Sequence, residues 1–252
     1  MGIWEALAIA AAGVGAGAIN AVVGSGTLLT FPVMLAMGFP PVTATVSNSI
    51  GLAPGAVAGA IGYRHELKGQ RARLMRFAGM SLIGAIIGGT LLLRLPPEVF
   101  ARVVPVLITL SCVLIVVQPW LGAWVRGRPG RKPEGGPLVS VGVLGAGIYG
   151  GYFAAAQGIL LVGILGTSID DKLQRINALK NALVSIVNIT AAVFYIIFAQ
   201  PSWTAVALIA VGSVIGGFLG GRFGRHLKPL VLRIVIVVIG MTAVVQLVVN
   251  GM

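Results

Sequence analysis

Asn177, Asn181, Ser185 and Asn188 follow one another at intervals of four, four and three residues inside a largely apolar stretch, so a helix there carries all four on one face. Lys180, three residues after Asn177, borders that face. The first half of the chain holds a second polar set, Asn20, Ser25, Thr27, Thr45, Ser47 and Asn48, and the second half adds Gln157. Polar side chains at membrane depth are costly, so those retained there face protein, water or a substrate. Two glycine breaks lie beside these residues, at Gly26 and Gly158. A short helix starting at either break aims free N–H groups and the positive end of its dipole inward, which suits an oxyanion without requiring a fully buried cation. Glycine there also permits the turn and a close approach of ligand to backbone. The same Asn and Ser residues serve equally as packing glue between helices, where each such bond averages about 0.6 kcal/mol in one measured case. Lys180 either reaches the cargo or snorkels to the surface.

Catalysis finds little support. Cys112 stands alone in an apolar run, which reads as a structural thiol. His65 and His226 fall in basic loops and form no metal pair, and no GxSxG, HExxH or Walker pattern occurs. The six acidic residues, Glu5, Glu66, Glu98, Glu134, Asp170 and Asp171, map to loops or helix ends, which disfavours a carboxylate proton relay. We expect no enzyme, no cofactor and no metal.

The elements that must position the polar residues follow from composition. The chain has 252 residues, 57% hydrophobic, with 37 Gly and only 10% charged, against about 25% charged in a soluble domain. Disorder and a disulfide scaffold are excluded by the apolar content and the single cysteine. Eighteen Lys+Arg against six Asp+Glu leave a net charge of +12. These charges fall between long apolar runs, which points to lipid headgroups and membrane topology and away from nucleic acid. Spans near the roughly 20 residues needed for a crossing are expected at 3–23, 45–63, 77–95, 103–121, 138–156, 176–199, 203–219 and 230–249. Two shorter apolar pieces, 27–39 and 158–166, read as half-helices folded back beside the preceding span. The first run has no Lys or Arg ahead of it and is long for a signal peptide, so it is expected to persist as a span.

The halves resemble each other. A shift of 128 places Gly84 on Gly212, Gly88-Gly89 on Gly216-Gly217, Arg94 on Arg222 and Gln118 on Gln246. With small insertions, Gly15-Ala-Gly17 falls on Gly145-Ala-Gly147, Gly26-Thr-Leu-Leu29 on Gly158-Ile-Leu-Leu161, and Asn48 on Asn181. The expected fold is an all-α integral membrane protein of two inverted-topology repeats, 1–126 and 138–252, each a helix/half-helix hairpin plus three spans. Residues 127–137, rich in Pro, Gly and charge, form the expected cytoplasmic linker. The 64–76 loop carries five Lys/Arg and its counterpart 198–203 none, whereas 222–233 carries four and its counterpart only Arg94 and Arg102. Each repeat has an odd net number of crossings, so inversion follows. Sixteen of the 18 basic residues then share one face, which is cytoplasmic by the positive-inside rule, with both termini outside. By pseudo-symmetry the half-helix tips and the helices of Asn48 and Asn181 are expected to meet near the bilayer midplane. Gly51, Gly55 and Gly59, with Gly84/Gly88 and Gly212/Gly216/Gly220, have the small-xxx-small spacing of close helix packing. Pro54 and Pro105 are expected to kink their spans.

The stretches Gly15-Ala-Gly-Ala-Ile-Asn-Ala-Val-Val-Gly-Ser-Gly-Thr-Leu-Leu-Thr-Phe-Pro32 and Met37-Gly-Phe-Pro-Pro-Val-Thr-Ala44, followed by Thr45-Val-Ser-Asn48, resemble the sulfite exporter TauE/SafE family. Arg175-Ile-Asn-Ala-Leu-Lys-Asn181, with Asn188, is similar to that family's second-repeat signature, and the Gly88-Gly89 and Gly216-Gly217 pairs fit it too. The likeness covers essentially the whole chain. It implies a multi-pass carrier in a prokaryotic inner membrane, exporting sulfite or an organosulfonate such as sulfoacetate. Ser25 stands where the family often has a further Gly, and Ala154-Ala-Ala-Gln157 interrupts the Gly-rich turn of the second hairpin. The expected substrate set is Asn20, Ser25, Gly26, Thr27, Ser47, Asn48, Gln157, Gly158, Asn177, Lys180, Asn181, Ser185 and Asn188. The expected partners are membrane lipid and a small sulfur-containing anion, with no nucleic acid; a homodimer stays open. A non-transporting scaffold of a sulfur-metabolism system and an anion channel are the alternative readings.

Overall fold

The computed structural model describes residues 2–126, 134–223 and 229–249. Within them the chain is helical throughout: α1 Ile3–Val22, α2 Thr27–Ala36, α3 Pro41–Gly62, a 3-10 turn Arg64–Leu67, α4 Arg71–Arg94, α5 Pro97–Arg126, α6 Pro137–Tyr152, α7 Gln157–Ser168, α8 Leu173–Phe198, α9 Trp203–Phe223 and α10 Pro229–Val249. Most of the expected linker, 127–133, lies outside the described residues, as do His226 and most of the basic connection between α9 and α10.

Six of these helices, α1, α3, α4, α5, α8 and α9, are long and apolar enough to cross a bilayer. The two short pieces are helices of 10 and 12 residues, about 15 and 18 Å, which cannot cross alone. One expected span needs correction. The 138–156 segment is helical only to Tyr152, 16 residues or about 24 Å, because Ala154 and Ala156 adopt left-handed backbone at φ 63° and 59°. An apolar alanine run conceals such a turn, since composition alone favours continuing the helix.

The polarity of the bundle is inverted relative to a soluble fold. Ile83, Ile86, Ile87, Val106, Val113, Ile196, Val211 and Phe218 are exposed, whereas Ser25, Thr27, Thr30, Asn48, Gln157, Lys180 and Asn181 are buried. Burying amides and an ammonium behind an apolar shell suits a lipid surround, where the shell costs nothing.

The main helix pairings are unchanged when the halves exchange places. α1 packs on α9 as α6 packs on α4, α3 crosses α9 as α8 crosses α4, and α5 meets α7 as α10 meets α2. α3 and α8 lie against each other, as do α5 and α10. Glycines make the closest of these contacts. A Cβ added at Gly84 would lie 2.5 Å from the Leu144 carbonyl oxygen, and one at Gly212, its match at the 128-residue shift, 2.6 Å from that of Ala10. The ridge on α3 is divided: Gly51 and Gly55 press on Ile209 and Ser213 of α9, while Gly59 meets only Ala21.

Candidate functional site

The two hairpin breaks touch. Gly24 lies in the turn between α1 and α2 at φ 87°, and its carbonyl accepts a 3.3 Å hydrogen bond from the Gly158 N–H at the start of α7. A Cβ on Gly24 would fall 2.9 Å from the Gly158 Cα, so both positions need glycine for the backbones to meet. Neither α2 nor α7 has a side-chain cap at its start.

Buried polar groups surround this contact. Ser25, next to Gly24, and Gln157, next to Gly158, are 0% and 1% exposed. The Ser25 Oγ and both polar atoms of Gln157 have no hydrogen-bond partner among the described residues. The Gln157 carboxamide lies over Gly150 of α6, where a Cβ would be 2.4 Å from its Cδ. In the other hairpin a Cβ on Gly26 would meet the Asn20 Cβ at 3.2 Å. Asn20 in turn lines a cavity of about 10 Å³ with Asn181, Ala21, Gly55, Ala56, Gly59 and Val184, between α1, α3 and α8. That volume is close to the minimum for one water. The Asn181 Nδ2 is also buried without a partner among the described residues. Lys180, the residue before Asn181 on α8, is 2% exposed. Among the described residues no carboxylate or other partner meets it.

Other members of the expected set are occupied. Asn48 joins α3 to α2: its Nδ2 donates to Thr27 Oγ1 at 3.2 Å, and its Oδ1 accepts from the Thr30 hydroxyl. Ser47 Oγ accepts the Ser202 N–H at 2.9 Å and so anchors the α8–α9 loop. Asn188 Nδ2 donates to its own helix at the Val184 carbonyl, and Thr45 Oγ1 to the Pro41 carbonyl. Ser185 is buried, and Asn177 is half-buried near the start of α8. Thr30 was absent from the expected set, although it stands three residues from Thr27 on the same helical face. Tyr149 was absent as well; its hydroxyl pairs with Ser111 at 2.7 Å, tying α6 to α5.

At the end of α3 away from Ser47, the segment 68–76 is fastened to the start of α8. Gln70 Nε2 donates to the Arg175 carbonyl at 3.1 Å and Arg175 Nη1 to the Lys68 carbonyl at 3.0 Å. Asp171 accepts from Arg73 Nη1 at 2.8 Å and from Arg175 Nε at 2.9 Å. Burial pushes the Asp171 carboxyl up, but hydrogen bonds from Arg73, the Lys172 N–H and Arg175, together with the Arg175 charge, outweigh it and hold the group below its ordinary value. A depressed carboxylate stabilises the fold above its unfolded value, about 3.9, and that contribution is lost as pH falls toward the lowered one. The thermal stability of the purified protein is therefore expected to fall as pH drops from about 5 toward 3. Asp171→Asn should flatten that slope and cost about 1–3 kcal/mol at neutral pH; an unaltered acid slope would contradict the assignment. Charge counting reads these residues only as topology, because a loop sequence does not reveal that its charges clasp the other half.

Among the described residues no cluster of His, Cys, Asp and Glu has the makings of a metal site, and Cys112 is buried against Gly240. His65 is exposed. The acidic residues stand at helix ends or in connections, as expected.

Known proteins add the context for this arrangement. The chain is similar to the probable membrane transporter protein YfcA of Escherichia coli K12, 24% identical over 89% of this chain and 82% of the relative. A probable membrane transporter protein of Haemophilus influenzae is 26% identical over 81% and 79% of the two chains. The probable membrane transporter protein ORF9 of a Sinorhizobium species is 22% identical over 92% and 88%. No solved structure matches the chain. The family model described as sulfite exporter TauE/SafE matches residues 9–247, which takes in both hairpins, the Gly24–Gly158 contact and all five helices of each half: the chain is a multi-pass membrane protein of the sulfite exporter TauE/SafE transporter family.

Proposed function

We propose that the protein exports a small sulfur-containing anion, sulfite or an organosulfonate such as sulfoacetate, by alternating access around the Gly24–Gly158 contact. The observation that carries the reading is a set of buried polar groups that nothing among the described residues satisfies, on Ser25, Gln157 and Asn181, together with the buried ammonium of Lys180, the residue before Asn181 in α8. Leaving such donors unmet costs about 1–3 kcal/mol each, a cost recovered when a ligand or water meets them. Amide and hydroxyl donors with one ammonium match an oxyanion. The cavity of about 10 Å³ is too small for any of these anions, so the halves must part to admit one, which favours a carrier over an open channel.

The orientation we propose places the 64–76 segment in the cytoplasm of a prokaryotic cell and both termini outside, with the halves inverted relative to each other. The two fastenings then close opposite mouths, Asp171 with Arg73 and Arg175 on the cytoplasmic side and Ser202 with Ser47 on the outer side. No carboxylate lies within the helix interiors, so the membrane potential is the proposed drive. One negative charge leaving a cell across 100 mV releases about 2.3 kcal/mol, roughly 50-fold in ratio. In proteoliposomes, sulfite flux is expected to rise with an imposed potential of that sign. Flux indifferent to voltage but responsive to a pH gradient would refute potential-driven export, and purified protein that moves no anion would favour a scaffold.

A further inference from the structure

We propose that the two matched asparagines have divided their work: Asn48 is a fixed staple between α2 and α3, Asn181 is the carboxamide that reads the anion, and the residues at 159 and 162 set this difference. The inference rests on the transport reading and specifies which half of the site performs it.

The halves match residue by residue around each asparagine. Gly26-Thr27-Leu28-Leu29 corresponds to Gly158-Ile159-Leu160-Leu161, Thr30 to Val162, and Asn48 to Asn181. The surroundings correspond as well, since α2 packs on α3 as α7 packs on α8. In the first half both hydroxyls are used: Asn48 donates to Thr27 and accepts from Thr30, and all three are buried. In the second half both hydroxyls are gone. Ile159 and Val162 are buried and offer only methyl groups, so α7 cannot bond Asn181 as α2 bonds Asn48. Its Nδ2 is buried without a partner among the described residues, and the side chain lines the cavity with Asn20.

A buried carboxamide in a lipid-surrounded bundle is expected to find a partner. Packing alone gives no reason to keep a buried carboxamide at 181 whose Nδ2 has no partner among the described residues. A ligand does, because an amide held in place by its helix but bonded to nothing is preorganised for an incoming acceptor. Ser25 and Gln157, on the facing hairpin tips, are open in the same way, whereas Thr27 and Asn48 are not. The anion is thus met asymmetrically, by Asn181 from one half and by the hairpin tips of both.

The test restores the missing hydroxyls. Ile159→Thr with Val162→Thr gives Asn181 the partners that Asn48 has. Sulfite flux in proteoliposomes is expected to fall about 10- to 100-fold, the value of one hydrogen bond to a charged group, while thermal stability in detergent holds or rises. The apolar exchange Ile159→Val with Val162→Ile should keep flux within about 2-fold, separating hydrogen bonding from packing. A threonine pair that transports like wild type would overturn the division of work. Should that variant not fold, single alanines decide: Asn181→Ala should abolish the thermal shift produced by sodium sulfite, and Asn48→Ala should lower the starting melting temperature yet keep the shift. The reverse pattern overturns the inference. A wild-type protein that neither binds nor moves sulfite, sulfate, thiosulfate, sulfoacetate or taurine overturns the transport reading and this inference with it, whereas failure of the variants alone leaves transport standing.

Discussion

Gly216→Ala is expected to remove most of the folded, monodisperse protein from a detergent extract. A Cβ at position 216 would lie 1.8 Å from the Val14 carbonyl oxygen and 2.7 Å from its carbon, in the middle of the α1–α9 contact. The obstacle is backbone, so no rotamer change relieves it, and α9 must move outward. That movement also loosens the approaches of Gly212 to Ala10 and Gly220 to Ala18 on the same stripe. Overpacking a tight core typically costs about 1–3 kcal/mol, and one methyl that displaces a whole helix lies at or above the upper end. Gly88→Ala in α4, 2.1 Å from the Ile148 carbonyl oxygen, should be similarly severe. Gly145 on α6 serves as the control, because a Cβ there meets nothing within 4 Å. Gly145→Ala should be neutral or stabilise by up to about 1 kcal/mol through helix propensity. Size-exclusion profiles and melting curves of the variants check the contrast; equal tolerance at 216 and 145 would mean that the glycine stripe does not set the helix spacing.

The glycine stripes were legible because the spacing of small residues is a one-dimensional signal for close approach, and a shift of 128 pairs them before any helix is placed. The half-helices were legible for the same reason, since 10 or 12 apolar residues are too few to cross whatever surrounds them. The end of α6 was not, because Ala154 and Ala156 occupy a backbone region usually left to glycine. The site was readable as a list of polar residues at depth but not as a division among them. Asn48 and Asn181 look equivalent in sequence, yet Asn48 bonds Thr27 and Thr30 of α2 while the Asn181 Nδ2 has no partner among the described residues. Ser47 likewise looks like a ligand until its hydroxyl is found holding the Ser202 N–H. In each case the polar residue could be named early, but its partner came from a distant helix and waited on the fold.

Lys180→Met is expected to cut sulfite flux by about 100-fold or more while leaving the empty protein at least as stable as wild type. The two effects have opposite signs for one reason. Lys180 is 2% exposed in a helix, Leu173–Phe198, that is long and apolar enough to cross a membrane, and among the described residues no carboxylate pairs with it. An ammonium in that position pays desolvation without a counter-ion, so an apolar side chain of similar length removes a cost. The same cost is an asset when an anion arrives, because ligand and lysine then neutralise each other in a water-poor site. A 100-fold loss corresponds to about 2.7 kcal/mol, within reach of one charge-assisted contact with its electrostatic support. A structural lysine would behave differently: Lys180→Met would lower the melting temperature, and any flux defect would follow the amount of folded protein. Lys180→Arg adds a second discriminant, since it keeps the charge in a larger, planar head; partial flux with reduced stability is the expected result. Melting temperature with and without sodium sulfite, beside flux per folded molecule, reads both quantities from one preparation. Lys180→Met protein that is stabilised by sulfite as strongly as wild type would place the anion elsewhere in the bundle.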